Sequence, residues 1–316
     1  MRFKMRITVL CLVMIIVFPL LVFARGPGTS SASFLKIDMS ARPVGMGNAF
    51  CGIADDINAI QWNPGGLTQI EQQEVILTHN EWIQGIRLEF LGYAFPVDEN
   101  WTLGATVNYL YVTGLVGRDI NGDETGRIFG GNDGVLTLSG SRKIDKDISV
   151  GANFKIIRES VEDKSDMAYA GDIGVLYKIP KFKISGIKIS GIKVGAAIQN
   201  FGTQIRLYEE SFPLPLNLKI GLGYEPIEGA IFGLDVNQPI DNRVNAMVGG
   251  EYWLFDLAAL RVGYKYKQDE NTGIGITAGL GFKLGGWHLD YAYVPFGDLG
   301  TTHRISLNIK FGEVEK

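Results

Sequence analysis

The sequence predicts an all-β fold: a transmembrane antiparallel β-barrel of about 14 strands with an N-terminal hatch or plug in its lumen. Three observations carry this. From residue 73 onward apolar and polar residues alternate with period two, as in Trp101-Thr102-Leu103-Gly104-Ala105-Thr106-Val107-Asn108-Tyr109. The polar phase is rich in Gly, Ser, Asn and Thr, which suits a polar lumen better than the solvent face of a sandwich. Tight connections alternate with longer ones, the parity that periplasmic turns and outer loops produce. Composition agrees. Gly is 41 of 316 residues, roughly twice the usual share. Apolar residues at 46 % and charged ones at 20 % exclude a disordered chain. A formal charge of −4 without a basic stripe argues against a nucleic-acid partner.

Residues 1–24 read as a Sec signal peptide. Arg2, Lys4 and Arg6 precede an uncharged run to Ala24, and Val22 and Ala24 occupy the −3 and −1 positions of a cleavage site before Arg25. Outside this N-terminus no apolar run is long enough for a transmembrane helix. Removing three cations leaves 27 Lys and Arg against 34 Asp and Glu, a mature charge of about −7. Cys11 leaves with the signal and Cys51 stays alone, so no intrachain disulfide forms.

Residues 25–72 do not alternate, and form the hatch or plug segment. Gly45 and Gly47, flanking Met46, permit tight backbone turns. Asp55 and Asp56 are expected to N-cap a short helix running to about Trp62. Asn63-Pro64-Gly65 ends it as a turn.

Residues 73–316 form the barrel domain. Strands are expected near 73–82, 86–96, 101–112, 134–143, 148–158, 167–179, 191–201, 215–224, 229–238, 243–254, 257–267, 273–284, 286–294 and 302–311. With an even count both chain ends are expected in the periplasm. Phe95, Trp101, Tyr177, Tyr224, Trp253, Trp287 and Phe311 fall at the periplasmic strand ends, where an aromatic girdle is expected. The phase places Lys155, Asp235, Arg261, Lys265, Asp290, Arg304 and Lys310 toward the lumen. Both signs occur among them, so pairing with one another or with the plug is expected. The tandem Ile184–Lys188 and Ile189–Lys193 repeat lengthens a turn or strand.

Catalytic signals are missing. His79, His288 and His303 lie far apart without a second ligand at zinc spacing. No Gly-x-Ser-x-Gly elbow and no phosphate loop occur. Asp119-Ile120-Asn121-Gly122-Asp123-Glu124 offers acidic oxygens but has its Gly at the fourth place and lacks a bidentate Glu, unlike a calcium loop. The reading is therefore a non-enzyme without metal or cofactor.

The N-terminal block resembles the hatch of FadL-like outer-membrane proteins, Asn63-Pro64-Gly65 being close to their Asn-Pro-Ala motif. It is more similar still to the PorV/PorQ family, through Gly45-Met46-Gly47-Asn48-Ala49-Phe50, Ala54-Asp55-Asp56 and Asn63-Pro64-Gly65-Gly66-Leu67. Ala197–Gly202, Leu260–Tyr264 and Asp290–His303 agree with that pattern. The resemblance implies a 14-stranded barrel in the outer membrane of a Gram-negative bacterium. It implies a secretion-associated role first, in type IX-like protein export or surface attachment. The alternative is a FadL-like channel for uptake of hydrophobic small molecules. Expected partners are outer-membrane lipid, secretion-machinery proteins or exported cargo, or a hydrophobic molecule in the lumen.

Overall fold

The computed structural model describes residues 26–184, 187–266 and 274–312. The expected signal peptide, the Ser185-Gly186 part of the tandem repeat and the 267–273 connection lie outside them. Fourteen antiparallel strands close into one barrel. In chain order they are β1 Gln73–Glu81, β2 Arg87–Pro96, β3 Trp101–Arg118, β4 Glu124–Lys143, β5 Ile148–Val161, β6 Lys164–Lys178 and β7 Ile192–Gly202. Then follow β8 Asn217–Ile227, β9 Ala230–Pro239, β10 Asn245–Leu254, β11 Ala258–Tyr266, β12 Ile276–Leu284, β13 Trp287–Pro295 and β14 Thr301–Phe311. Each strand pairs with its sequence neighbour, and β14 returns to β1 with Gln73 opposite Phe311 and Glu81 opposite His303. Closure leaves no open strand edge, which is what a sheet needs when no water can pair its backbone.

The alternation becomes an inside and an outside. Along β11 Leu260 and Val262 are exposed while Arg261 is buried. Along β14 Ile305 is exposed and Arg304 buried. An apolar exterior around a polar interior is the arrangement that hydrocarbon demands. Among the outward-facing residues, His79, Glu81, Arg87 and Glu89 gather at the loop end of β1 and β2. There they pair as His79–Glu89 at 2.9 Å and Arg87–Glu81 at 3.3 Å. Charge at a membrane rim costs far less than at midplane.

Four expectations are corrected. First, 113–133 is not a loop, since β3 and β4 continue as a long hairpin that pairs up to Arg118–Glu124. Register shifts between Val112 and Leu115 and again before Arg118, with Gly114 at φ +74°, break the alternation without breaking the ladder. Second, the inner face of β2 is apolar, as is the middle of its outer face, and β1 adds Ile76 to that inner surface. Ile76, Leu88, Phe90 and Ala94 point inward and are buried against Met39, Ile57, Ile60 and Leu67 of the N-terminal segment. Third, Trp253 is not a girdle residue: it shares the inner face with Glu251 and packs edge-on to His288 and beside the Arg261 guanidinium. The other girdle candidates lie on the outward phase, Trp101 and Trp287 being 41 % and 56 % exposed.

Fourth, the two ends of the described chain do not share a side. Ser31 N donates to Pro213 O, Lys36 pairs with Asp241 at 2.7 Å, and Ala32 N donates to Glu159. All three partners lie at the loop end, opposite Phe311. Strand parity relates Phe311 only to the start of β1. The segment before β1 runs the length of the lumen first.

Inside, that segment follows a ring of glycines. Gly263, Gly249, Gly233 and Gly223 are successive cross-strand partners on β11, β10, β9 and β8. A Cβ on Gly263 would lie 2.0 Å from Gly47 N, one on Gly249 2.0 Å from Met46 O, and one on Gly233 2.1 Å from Ala49 O. Across the barrel, Gly151 and Gly174, also partners, receive Pro64 and Gly65 at similar closeness. The wall thus lacks side chains where a second backbone lies on it. Gly263→Ala is expected to displace the segment at a cost of about 1–3 kcal/mol while the strands still close. Faster limited proteolysis within 26–72, with unchanged heat-modified gel migration of the barrel, is the measurement.

Candidate functional site

The side chains that tie the N-terminal segment to the wall form the candidate site. Its local structure comes from two short helices, α1 Ala41–Gly45 and α2 Ala59–Trp62, and a 3-10 turn over Pro64–Gln69. Gly47 at φ +64° ends the α1 region, a conformation that favours Gly. Gly45 lies against Gly279 of β12, and Met46 is fully buried with Phe50, Ile53 and Trp62.

Arg42 on α1 is the centre. Its Nη1 donates to Asp55 Oδ1 at 2.7 Å and to Asp56 Oδ2 at 2.6 Å. Its Nε and Nη2 grip both oxygens of Glu251 on β10, at 3.0 and 2.9 Å. Glu251 also accepts from Arg261 Nε on β11 at 2.5 Å, and Arg261 Nη1 reaches Asp290 on β13 at 2.7 Å. Six side chains therefore alternate in sign from the segment into three strands, Asp55 and Asp56 together taking the first negative place. The planar, bidentate fork is what fits Arg for such a joint. Burial works to raise the Asp55 pKa, yet the Arg42 guanidinium holds that carboxyl below the usual carboxylate range. Burial likewise opposes the Arg42 charge, and the surrounding carboxylates raise its pKa well above the ordinary value.

The Asp55-Asp56 pair therefore does not cap a helix as expected. α2 begins at Ala59 after Asn58 without a side-chain cap, while Asp56 Oδ1 turns the chain by accepting from Asn58 N at 2.8 Å. The buried Arg42 takes both oxygens of Asp55 and Oδ2 of Asp56, leaving Asp56 Oδ1 for the backbone.

Asn63 is a second joint. Its Nδ2 donates to Cys51 O and to Val175 O of β6, each at 3.0 Å, and its Oδ1 accepts from Gly65 N. Pro64 follows at the first position of the 3-10 turn. Gly65 has no room for a Cβ, which would lie 2.9 Å from the Gly174 carbonyl. From the wall, Asp235 on β9 accepts from Phe50 N at 2.8 Å and Cys51 N at 2.7 Å. Lys310 on β14 pairs with Glu74 at 2.9 Å, and Glu74 accepts from Ile57 N. Arg304 donates to Asp38 O at 3.1 Å and lies over Trp82. Lys155 pairs with Asp172 at 2.8 Å and donates to Asn200. Lys265 faces the same lumen.

The structure thus gathers Arg42, Asp55, Asp56, Arg261 and Asp290 in one cluster, and leaves Asn63 to Gly65, Asp235, Lys155, Lys265 and Arg304 at separate points along the lumen. Arg42, Glu251 and Glu74 had no role in the sequence reading. A charged residue on the inward phase was the signal for Glu251, but its partner stands 209 residues away. The Asp119 loop is the tip of the β3–β4 hairpin, where Asp119 accepts from Asn121 N and Asp123 N. Among the described residues no group of three or more His, Cys, Asp or Glu side chains is placed to hold a metal.

Arg42→Ala strands buried carboxylates and is expected to destabilise the segment's docking by about 3–5 kcal/mol. Hydrogen exchange over 41–57 reads the loss, with Arg42→Lys intermediate. Because the Asp55 pKa is depressed, its contribution is present above the unfolded value of about 3.9 and lost as pH falls through its lower folded value. Protease resistance of the segment is therefore expected to persist at pH 4 and to drop only in stronger acid.

The structure resembles the toluene transporter TbuX of Ralstonia pickettii with a TM-score of 0.62 and 14 % identity, covering 86 % of this chain and 98 % of that one. It resembles the toluene transporter TodX of Pseudomonas putida with a TM-score of 0.58 and 13 % identity, covering 91 % and 97 %. A UPF0164 protein of Treponema pallidum (strain Nichols) is 22 % identical over 302 residues, 91 % of this chain and 70 % of the relative. The model described as "Uncharacterised protein family (UPF0164)" matches residues 25–311, and the chain belongs to that family.

Proposed function

We propose that this protein is a non-catalytic outer-membrane channel through which hydrophobic small molecules enter, the N-terminal segment acting as its hatch. The observation that carries the reading is a closed barrel whose lumen is filled by a segment held through side chains alone at its centre: the Arg42 cluster, Asn63 and Asp235. Such joints separate and reform without disturbing the wall ladder. The likeness to two toluene transporters over nearly their full lengths supports a channel of this architecture. It supports that reading over the secretion-associated role that the PorV/PorQ resemblance put first. The apolar belt and the barrel fold support the outer-membrane location.

In this mechanism a solute descends from the loop end, and the hatch yields where the glycine contacts and the Arg42 cluster hold it. The test is uptake of labelled toluene by cells that carry the full chain in an outer membrane otherwise poorly permeable to it. A several-fold rise over cells with an unrelated closed barrel is expected. An unchanged rate, with exported proteins co-purifying from the same membranes, would falsify the channel reading in favour of secretion.

A further inference from the structure

Above the hatch, in the outer half of the lumen, lies a cavity of about 280 Å³. Asn48, Ile60 and Gln61 form its floor, and Leu35 to Asp38 form one side. Of its 22 described lining residues, nine carry a side-chain amide. Buried amides are normally paired within a fold. Here Asn48 Oδ1, Gln61 Nε2, Asn108 Oδ1, Asn217 Oδ1 and Asn237 Oδ1 are buried and find no partner in the protein. They come from the hatch and from β3, β8 and β9, yet they meet around one space. Lys219 also borders it, its ammonium over the Trp62 ring at 5.7 Å. The rest of the wall is mixed: Lys36, Asp38, Thr137, Lys155 and Lys265 are polar, the Lys36 and Lys155 ammoniums being paired with Asp241 and Asp172, and Leu35, Ile37, Ile60, Val135 and Met247 supply the apolar surface.

We propose that this cavity is a binding station for a hydroxylated amphiphile, a solute with one apolar ring or short chain and several hydroxyl groups, rather than for a bare hydrocarbon. The inference rests on the channel reading and narrows its substrate class. A hydrocarbon here meets amide groups that it cannot pair, so it loses what they gain from water. A hydroxyl both donates and accepts, and the soft χ2 torsion of Asn turns either end of the amide toward it. A solute with hydroxyls alone leaves the Leu35–Ile37 and Val135–Met247 surfaces uncovered. Both halves together match the lining.

The experiment titrates the full chain in nanodiscs with phenyl β-D-glucopyranoside, toluene and glucose. Phenyl glucoside is expected to bind about tenfold more tightly than either fragment, the scale of one or two buried hydrogen-bond mismatches. Asn108→Val with Asn237→Val, two β-branched residues on strand positions, is expected to erase that preference and to leave the barrel's melting unchanged. Equal or tighter binding of toluene, or an unaltered preference in the double variant, overturns the proposal. Flux of the same solutes into proteoliposomes separates the two levels. If toluene passes and phenyl glucoside neither binds nor competes, the channel stands and this assignment falls. If no solute passes above protein-free vesicles, the channel reading falls and the assignment with it.

Discussion

Closing the sheet uses the backbone hydrogen bonds of all 14 strands within the wall, and everything inside has to be held without them. That constraint explains both unusual features of the interior. The N-terminal segment comes closest to the wall's backbone where strand glycines remove the side chains, as at Gly263, Gly249, Gly233, Gly174 and Gly151. Elsewhere it is held by side chains reaching across the gap, and a buried gap favours charged and amide groups whose partners are fixed. The glycine content and the scattered inward charges are two answers to one geometric problem.

The Arg42 cluster is the most concentrated of these attachments. A buried ion pair contributes little net stability compared with an apolar contact, yet removing one partner is costly. Such a joint specifies a single seating of the segment without making that seating irreversible. The apolar contacts of Met39, Ile57, Ile60 and Leu67 with β1 and β2 supply the non-directional part of the adhesion. The segment is therefore bound firmly on the β1–β2 side, and with angular selectivity on the β10–β13 side.

Much of the wall was legible from alternation, since Leu260-Arg261-Val262-Gly263 and Arg304-Ile305-Ser306 carry inside and outside in their phase. The pattern failed where a physical condition behind it failed. β2 faces packed protein rather than a wet lumen, so Leu88, Phe90 and Ala94 stand where a polar phase was expected. The β3–β4 hairpin passes beyond the belt, and Gly114, Gly117, Gly122 and Gly126 interrupt its rhythm. The motif residues of the segment were visible as a block. Their partners were not: Asp56 and Glu251 meet only through Arg42, and sequence spacing holds no information about a contact across a lumen.

The path of the segment bears on assembly. It lies ahead of β1 in the chain, runs from one mouth to the other, and is enclosed on every side. If the cylinder closed first, this strip would have to be threaded through it from one mouth to the other. The more direct order wraps the cylinder around its own contents, with the seam between the first and last strands, Gln73–Glu81 against His303–Phe311, closing last. The strip that fills the lumen is in this sense the mandrel on which the wall is formed.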